Sequence, residues 1–292
     1  MSVLGPNNYG KAEVRLVRVG RDSPVHTLTD LNVSIALAGD LAATHLTGDN
    51  SNVLPTDTQK NTVYAFAREY GVGEIEEFGL RLARHFVSSQ RSIERARVTI
   101  EEYGWQRLGP HSFARTGEGV RTAVVTCDES AAWVVSGIDG LVLMNTTDSE
   151  FHGFIKDRYT TLEEARDRIL ATSVRASWRH ASVPVDGAGN DWAASYTRAR
   201  EALVSAFVGT YSLSLQQTLA AMGEAVLAAR PEIVEVRLSL PNRHHFLVDL
   251  APFGLDNPGE VFFAADRPYG LIEGTVLREG APPPGLAWTL FP

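Results

Sequence analysis

Between two apolar runs the chain reads Ser239-Leu240-Pro241-Asn242-Arg243-His244-His245-Phe246, crowding an amide and two imidazoles where a strand would otherwise continue. An asparagine offers donors and an acceptor to a small polar molecule, and an imidazole gains or loses a proton near neutral pH. Asn242 and His244 are therefore candidate site residues, an amide and an imidazole held on rigid backbone rather than on a loop. A metal reading of His244 with His245 fails, because neighbours on a strand face opposite sides and cannot both ligate one ion. With one cysteine and no His/carboxylate spacing, no metal is expected.

Four more polar clusters fall at element edges. Lys11, in Tyr9-Gly10-Lys11, is either a solvated cation at the start of a strand or, tucked beside apolar groups, a base of lowered pKa. In Thr56-Asp57-Thr58-Gln59-Lys60-Asn61, Thr56 or Asp57 reads as a helix N-cap, a role compatible with a functional hydroxyl. From Phe151-His152-Gly153-Phe154 through Tyr159-Thr160-Thr161-Leu162 to Asp167-Arg168, a flat ring and a planar guanidinium fork could together read a planar anion with paired acceptors. The plain alternative there is loop packing, with Arg168 a surface charge on the helical-looking stretch 162–170. Gln216, on a helix start at Ser212–Gln217, adds a donor and an acceptor for such a ring, or is a solvated glutamine.

The elements that position these groups follow from periodicity. Val234, Val236, Leu238 and Leu240 alternate with Glu235, Arg237 and Ser239 as in a half-buried strand, and Pro241, lacking an N–H, marks a break or bulge. Asn242 and His244 then point the same way, and Phe246, Val248 and Leu250 resume the alternation. Earlier come strands over 12–19 and 29–37, the second with Leu31, Val33, Ile35 and Leu37 on one face. Two helical stripes follow, Val63, Phe66, Ala67, Tyr70 and then Ile75, Phe78, Leu82, Phe86, before strands around Ala96–Ile100 and Val120–Val124. The same order repeats from about residue 131. Strands at 132–145 and 174–183, the latter with Arg179 read as a surface arginine, precede helical stripes Trp192, Tyr196, Ala199, Leu203, Phe207 and Leu215, Leu219, Met222, Val226. Strands at 232–240, 246–250, 261–265 and 271–277 complete the second half. A ββααββ unit thus appears twice, predicting an α+β fold of antiparallel sheet backed by paired helices, divided as 1–130 and 131–292.

The 292 residues, 44% hydrophobic, suffice for two cores. A net charge of −8 argues against nucleic acid or an anionic membrane, though a few local cations still suit an anionic small molecule. The single Cys127 permits no internal disulfide, no signal segment opens the chain, and no apolar run approaches the ~20 residues that span a bilayer. A cytoplasmic protein is expected. No Gly-rich phosphate loop follows any strand, so a nucleotide cofactor has no visible cradle.

The clusters Tyr9-Gly10-Lys11, Thr56 to Thr62, Phe151-His152-Gly153-Phe154 to Arg168, Ser239 to His244 and Gly270-Leu271-Ile272 occur in the order found in urate oxidases (uricases), and the chain resembles that family over nearly its whole length. It departs at Met144 and Asn145, where the family usually carries an aliphatic residue and a lysine; neither lies in the expected site. The resemblance implies two tandem tunnelling-fold (T-fold) domains, a homotetramer around a β-barrel tunnel, and active sites at subunit interfaces. It implies a cofactor-free oxidation of urate by O2 and water to 5-hydroxyisourate and H2O2. By matched position, Lys11 and Thr56 would form a proton relay with His244 hydrogen-bonded into it. Arg168 and Gln216 would grip the purine edges, with backbone near Leu215 and Asp57 completing the grip. Phe151 would stack on the ring, Asn242 would fix dioxygen and then water, and Leu162 and Ile272 would wall the pocket. The C-terminal Thr289-Leu290-Phe291-Pro292 lacks a Ser-Lys-Leu peroxisomal address, in keeping with a bacterial cytosolic member. The rivals are another T-fold enzyme acting on a pterin- or guanine-like ring, for which a zinc or a glutamate anchor would be expected, and a non-catalytic purine-binding protein, which would need no relay.

Overall fold

The structure is a computed structural model and describes residues 2–181, 183, 190–265 and 267–291. The alternating runs at the start pair as a hairpin, β1 (Tyr9–Gly20) with β2 (Thr27–Gly39). A short helix, α1 (Ala42–Leu46), leads to the paired helices α2 (Thr56–Glu69) and α3 (Ile75–Ser89), after which β3 (Ile93–Arg107) and β4 (Phe113–Asp128) extend the same antiparallel sheet. The second half repeats the plan with β5 (Ala132–Asn145), β6 (Leu170–His180), α4 (Trp192–Gly209), α5 (Leu215–Ala229) and β7 (Ile233–Asn242). β8 (His245–Leu247) and β9 (Phe262–Ala264) form a small separate sheet, and β10 (Gly270–Leu277) returns to pair with β7. Among the described residues the main sheet runs β1-β2-β3-β4-β5-β6-β7-β10, antiparallel throughout.

Two hydrophobic clusters lie between this sheet and its helices. One gathers Leu31, Val33, Leu37, Phe78 and Phe86, the other Val174, Trp178, Phe207, Met222 and Leu240. The stripes read from sequence are thus the buried faces. In each half the second helix approaches the sheet at a glycine: a Cβ at Gly79 would stand 2.8 Å from Val125, and one at Gly223 only 2.5 Å from Val276. Larger residues there would push helix off sheet.

The opposite sheet face is not simply solvated. Residues from Pro282 to Leu290 cross it, Arg97 donating to the carbonyls of Leu286 (3.3 Å) and Ala287 (3.2 Å), and Arg237 stacking 3.8 Å over Trp288. Under this cover Arg179 is buried, donating to Glu235 at 2.7 Å and to the Pro282 carbonyl at 2.9 Å, so it is no surface arginine. Alternation alone assigned it to the open face; a segment a hundred residues away closed that face.

Several local expectations change. The stretch 162–170 forms no helix: it runs extended, bridges Phe151 at Ala165, and enters β6 at Leu170, four residues before the strand expected from 174. β7 does not break at Pro241, which pairs in register with Leu271; a proline is tolerated there because only its missing N–H is lost. The break comes after Asn242. The expected strand 246–250 contracts to the three residues of β8, in a different sheet. The end of the expected strand 174–183 reaches residue 182, outside the described residues. α2 is preceded by Pro55 rather than capped by Thr56 or Asp57, which sit inside its first turn.

Candidate active site

The polar groups of the first half are set by a bulge. β1 pairs Lys11 with Ile35 but Val14 with Val33, so one extra residue is inserted between them. Side chains on a strand alternate, so in a regular strand Lys11, three residues before Val14, would lie on the face opposite to the buried Val14 and Leu16, and the insertion reverses this. With it, Lys11 and Tyr9 share the helix-packed face with Ile35 and Leu37. Glu13 carries the bulge at φ 59, its N–H donating to Ser34 Oγ (3.0 Å) and its carboxylate accepting from Asn32 (2.6 Å). Tyr9 Oη in turn donates to the Leu54 carbonyl (3.1 Å) and accepts from the Leu54 N–H (2.9 Å). That double bond fixes the backbone two residues before Thr56 beside Lys11.

Thr56 is half-buried in the first turn of α2 and Asp57 exposed. Asp57 pairs with Lys60 and accepts from Asn61 (2.9 Å). The hydrogen bond and charge of Lys60, the bond from Asn61 and, more weakly, the charge of Lys11 hold its carboxyl below the usual range. A carboxylate at a helix N-terminus is also favoured by the helix dipole.

In the second half, the segment after β5 is tied to the loop before α5: Ser212 donates its N–H to Asp148 (2.9 Å) and Glu150 to Ser212 (2.7 Å). Phe151 and Ala165 exchange backbone bonds of 2.8 and 2.9 Å, which locks the Phe151 ring in place. Its neighbour Phe154 stacks on it at 5.0 Å, and the Arg168 guanidinium lies 5.3 Å from its centroid. Arg168 Nε is buried without a partner, and burial lowers the guanidinium's pKa. A fork with an unspent N–H beside an aromatic ring can bind a flat anion. α5 opens on the Ser214 cap, which accepts from Gln217 N–H (3.2 Å), leaving Leu215 buried and Gln216 exposed in the first turn. The earliest N–H groups of a helix have no intrahelical acceptor, so with the Gln217 N–H taken by the cap, those of Leu215 and Gln216 can meet a ligand.

Asn242, 9% exposed, ends β7 opposite Thr172 of β6 and Gly270 of β10. Its side chain lies on the same face as Leu238 and Leu240, at the end of the second core, and Ile272 sits across from Leu240 on that face. His244 is half-buried and stacks 5.8 Å from Phe246. Burial first, then the charges of Arg168 and His245, lower its pKa from 6.5, leaving a neutral imidazole at neutral pH. Leu162 is exposed.

The structure therefore gathers Lys11 with Thr56 and Asp57, and Arg168 with Phe151 and His244. It does not bring the two groups together within one chain. β1 is the first strand of the sheet and β6 the sixth, so five steps of about 4.8 Å, about 24 Å along the sheet, separate them. The role of Glu13 escaped sequence reasoning, although a signal existed: Lys11 falls out of phase with Val14 and Leu16.

The comparisons agree from end to end. The uricase family model matches residues 7–126 and 134–273. The uricase of Arthrobacter globiformis is 53% identical over 281 residues, covering 96% of this chain and 91% of that protein. That of Dictyostelium discoideum is 37% identical over 287 residues, 95% and 98% of the two chains. A crystal structure of the Arthrobacter globiformis uricase matches with a TM-score of 0.94 at 51% identity, covering 99% of each chain, and one from Bacillus fastidious with 0.82 at 25%, covering 95% of each. The antiparallel sheet with its helix pairs is the α+β tunnelling fold of those structures, and with a relative above half identity across the whole length, this chain belongs to the uricase family.

Proposed function

We propose that this enzyme, a urate oxidase converting urate, O2 and H2O to 5-hydroxyisourate and H2O2, assembles each active site from two copies of the chain. Lys11, Thr56 and Asp57 come from one copy; Phe151, Leu162, Arg168, Leu215, Gln216, Asn242, His244 and Ile272 come from its neighbour. The observation that carries this reading is the buried Arg168 with its unpaired Nε near the Phe151 ring, on a segment tied through Glu150 and Ser212 to the loop before α5 and far along the sheet from Lys11. Arg168 and Gln216 grip the two edges of the purine, the backbone at Leu215 and Asp57 adds donors, and Phe151 stacks on its face.

Urate is itself the electron donor, so the protein's work is to remove a proton and hold dioxygen against the electron-rich ring. Lys11 and Thr56 pass the proton, with His244, whose pKa burial and the Arg168 charge lower, hydrogen-bonded into the relay. Asn242 holds dioxygen and then the attacking water. The two electrons that leave urate reduce O2 to peroxide, and the oxygen gained by the ring comes from water. No cofactor enters this scheme. The two cores support a division into domains near 1–130 and 131–292, although Val134, Val183 and Trp192 of the second half pack into the first core, and the separated half-sites support a closed homotetramer. A cytoplasmic location is in keeping with a single, buried cysteine.

The test mixes two inactive variants. Thr56→Ala and Arg168→Ala subunits, dissociated together and reassembled, should regain part of the wild-type loss of urate absorbance with matching oxygen uptake, because one kind of mixed interface holds an intact site. A tetramer with no regained activity would contradict the shared site.

A further inference from the structure

Thr172 is fully buried, and its hydroxyl has no hydrogen-bond partner. It lies on the face of β6 that otherwise carries Leu170, Val174, Ala176 and Trp178, so it is the polar member of an apolar stripe. Burying a hydroxyl unpaired is unfavourable, so each such group calls for a specific explanation. Its strand partner is Asn242. Residues directly opposite in an antiparallel pair have Cβ atoms about 5 Å apart on one face, close enough for the hydroxyl and the amide to meet by side-chain rotation. Four residues upstream, Arg168 Nε is another buried donor left unspent.

We propose that Thr172 is a positioning residue for Asn242: when the site is filled, its hydroxyl donates to the amide oxygen, which turns the amide nitrogen toward the oxygen-binding position. An asparagine's two ends differ only by what they bond, so a donor behind the oxygen fixes which end faces the reactant. The main-chain bond from Arg243 N–H to the Ala171 carbonyl (2.8 Å) holds the two strand ends together, so the pair cannot drift apart as the site fills. This inference rests on the assignment of Asn242 given above.

The experiment compares Thr172→Val, Thr172→Ser and Asn242→Ala, measuring initial rates against dissolved oxygen at saturating urate, with xanthine as a purine probe for binding. Thr172→Val should lower kcat/KM for oxygen about 10- to 100-fold, the scale of a misplaced reactant. Xanthine affinity should hold within about twofold, which is well under the factor of 10 that 1.4 kcal/mol represents. The melting temperature should be unchanged or higher, since an unpaired buried hydroxyl has been removed, and Thr172→Ser should recover most of the oxygen dependence. Unchanged oxygen dependence in Thr172→Val, alongside a loss in Asn242→Ala, would overturn the inference while leaving Asn242 in place. A wild-type oxygen profile in Asn242→Ala would overturn both. Equal losses of stability, xanthine binding and turnover in Thr172→Val, with no recovery by serine, would make the residue merely structural and also overturn the proposal.

Discussion

Lys11 and Arg168 have different tasks in the proposed mechanism, and the difference shows in which constant a substitution moves. A relay acts on the way to the transition state, so Lys11→Ala or Thr56→Ala should cut turnover ~100- to 10,000-fold while xanthine still binds. The double variant should be barely worse than either single one, as for groups acting as one unit; wild-type rates in Lys11→Ala would remove the lysine from the chemistry. Arg168 grips the ring instead. Arg168→Lys replaces a fork by a point charge and should weaken urate binding by about 2–4 kcal/mol, whereas Arg198→Lys, exposed on α4, should change nothing. Arg179 is no control for this, because its burial against Glu235 makes any change there a test of stability. Equal urate affinity in Arg168→Lys and the wild type would mean that the anion is held elsewhere.

At the scale of single elements, the bulge in β1 decides which way the lysine faces. Glu13 occupies a left-handed conformation that an L-residue other than glycine adopts at a cost of order 1 kcal/mol. Glu13→Gly relieves that cost, loses the bond from Asn32, and keeps the insertion; activity should therefore persist with stability within about 1 kcal/mol of the wild type. Deleting Ala12 removes the insertion and leaves Lys11 two residues before Val14, so a regular ladder keeps it across from Ile35 on the helix-packed face. The deletion should therefore leave both the circular dichroism of the fold and most of the turnover. A folded but inactive deletion variant would show that the bulge does more than set the facing of the lysine.

For the molecule as a whole, the two halves meet over a buried polar chain: Ser136 Oγ donates to Glu76 (2.7 Å) and lies 3.1 Å from His180 Nε2, while Arg121 holds Glu76 at 2.7 Å. Burial lowers His180 to about 4 from 6.5. Between those values the unfolded chain binds a proton that the folded chain refuses, so stability falls as the pH drops from 6.5 toward 4, by about 3 kcal/mol. Glu76 acts in the opposite sense: burial raises its carboxyl above 4.5, against the pull of Arg121 and Ser136, so its cost grows as pH rises through that window. Denaturation midpoints at pH 7 and pH 5 should differ less in His180→Gln than in the wild type; equal pH slopes would discard the assignment. Among the described residues the same sheet leaves β1 and β10 as open edges, and in the proposed assembly closing them against neighbouring copies into a barrel would remove unpaired backbone groups and join the two half-sites.

Periodicity and composition alone determined the duplicated ββααββ plan, the four long helices and the apolar faces, because burial on one side imposes a period of 2 or 3.6 on the residues themselves. The site clusters were also legible, since Arg168, Asn242, His244 and Thr56 are polar residues at the ends of apolar elements. Only the tertiary structure decided which way they face and what covers them. Lys11 needed a one-residue insertion whose effect appears only in the pairing with β2. Arg179 needed the C-terminal segment that closes over it. The stretch 162–170 has helical spacing but runs extended, because Phe151 takes its backbone bonds at Ala165. In each case the deciding contact comes from far along the chain, and a local pattern carries no record of it.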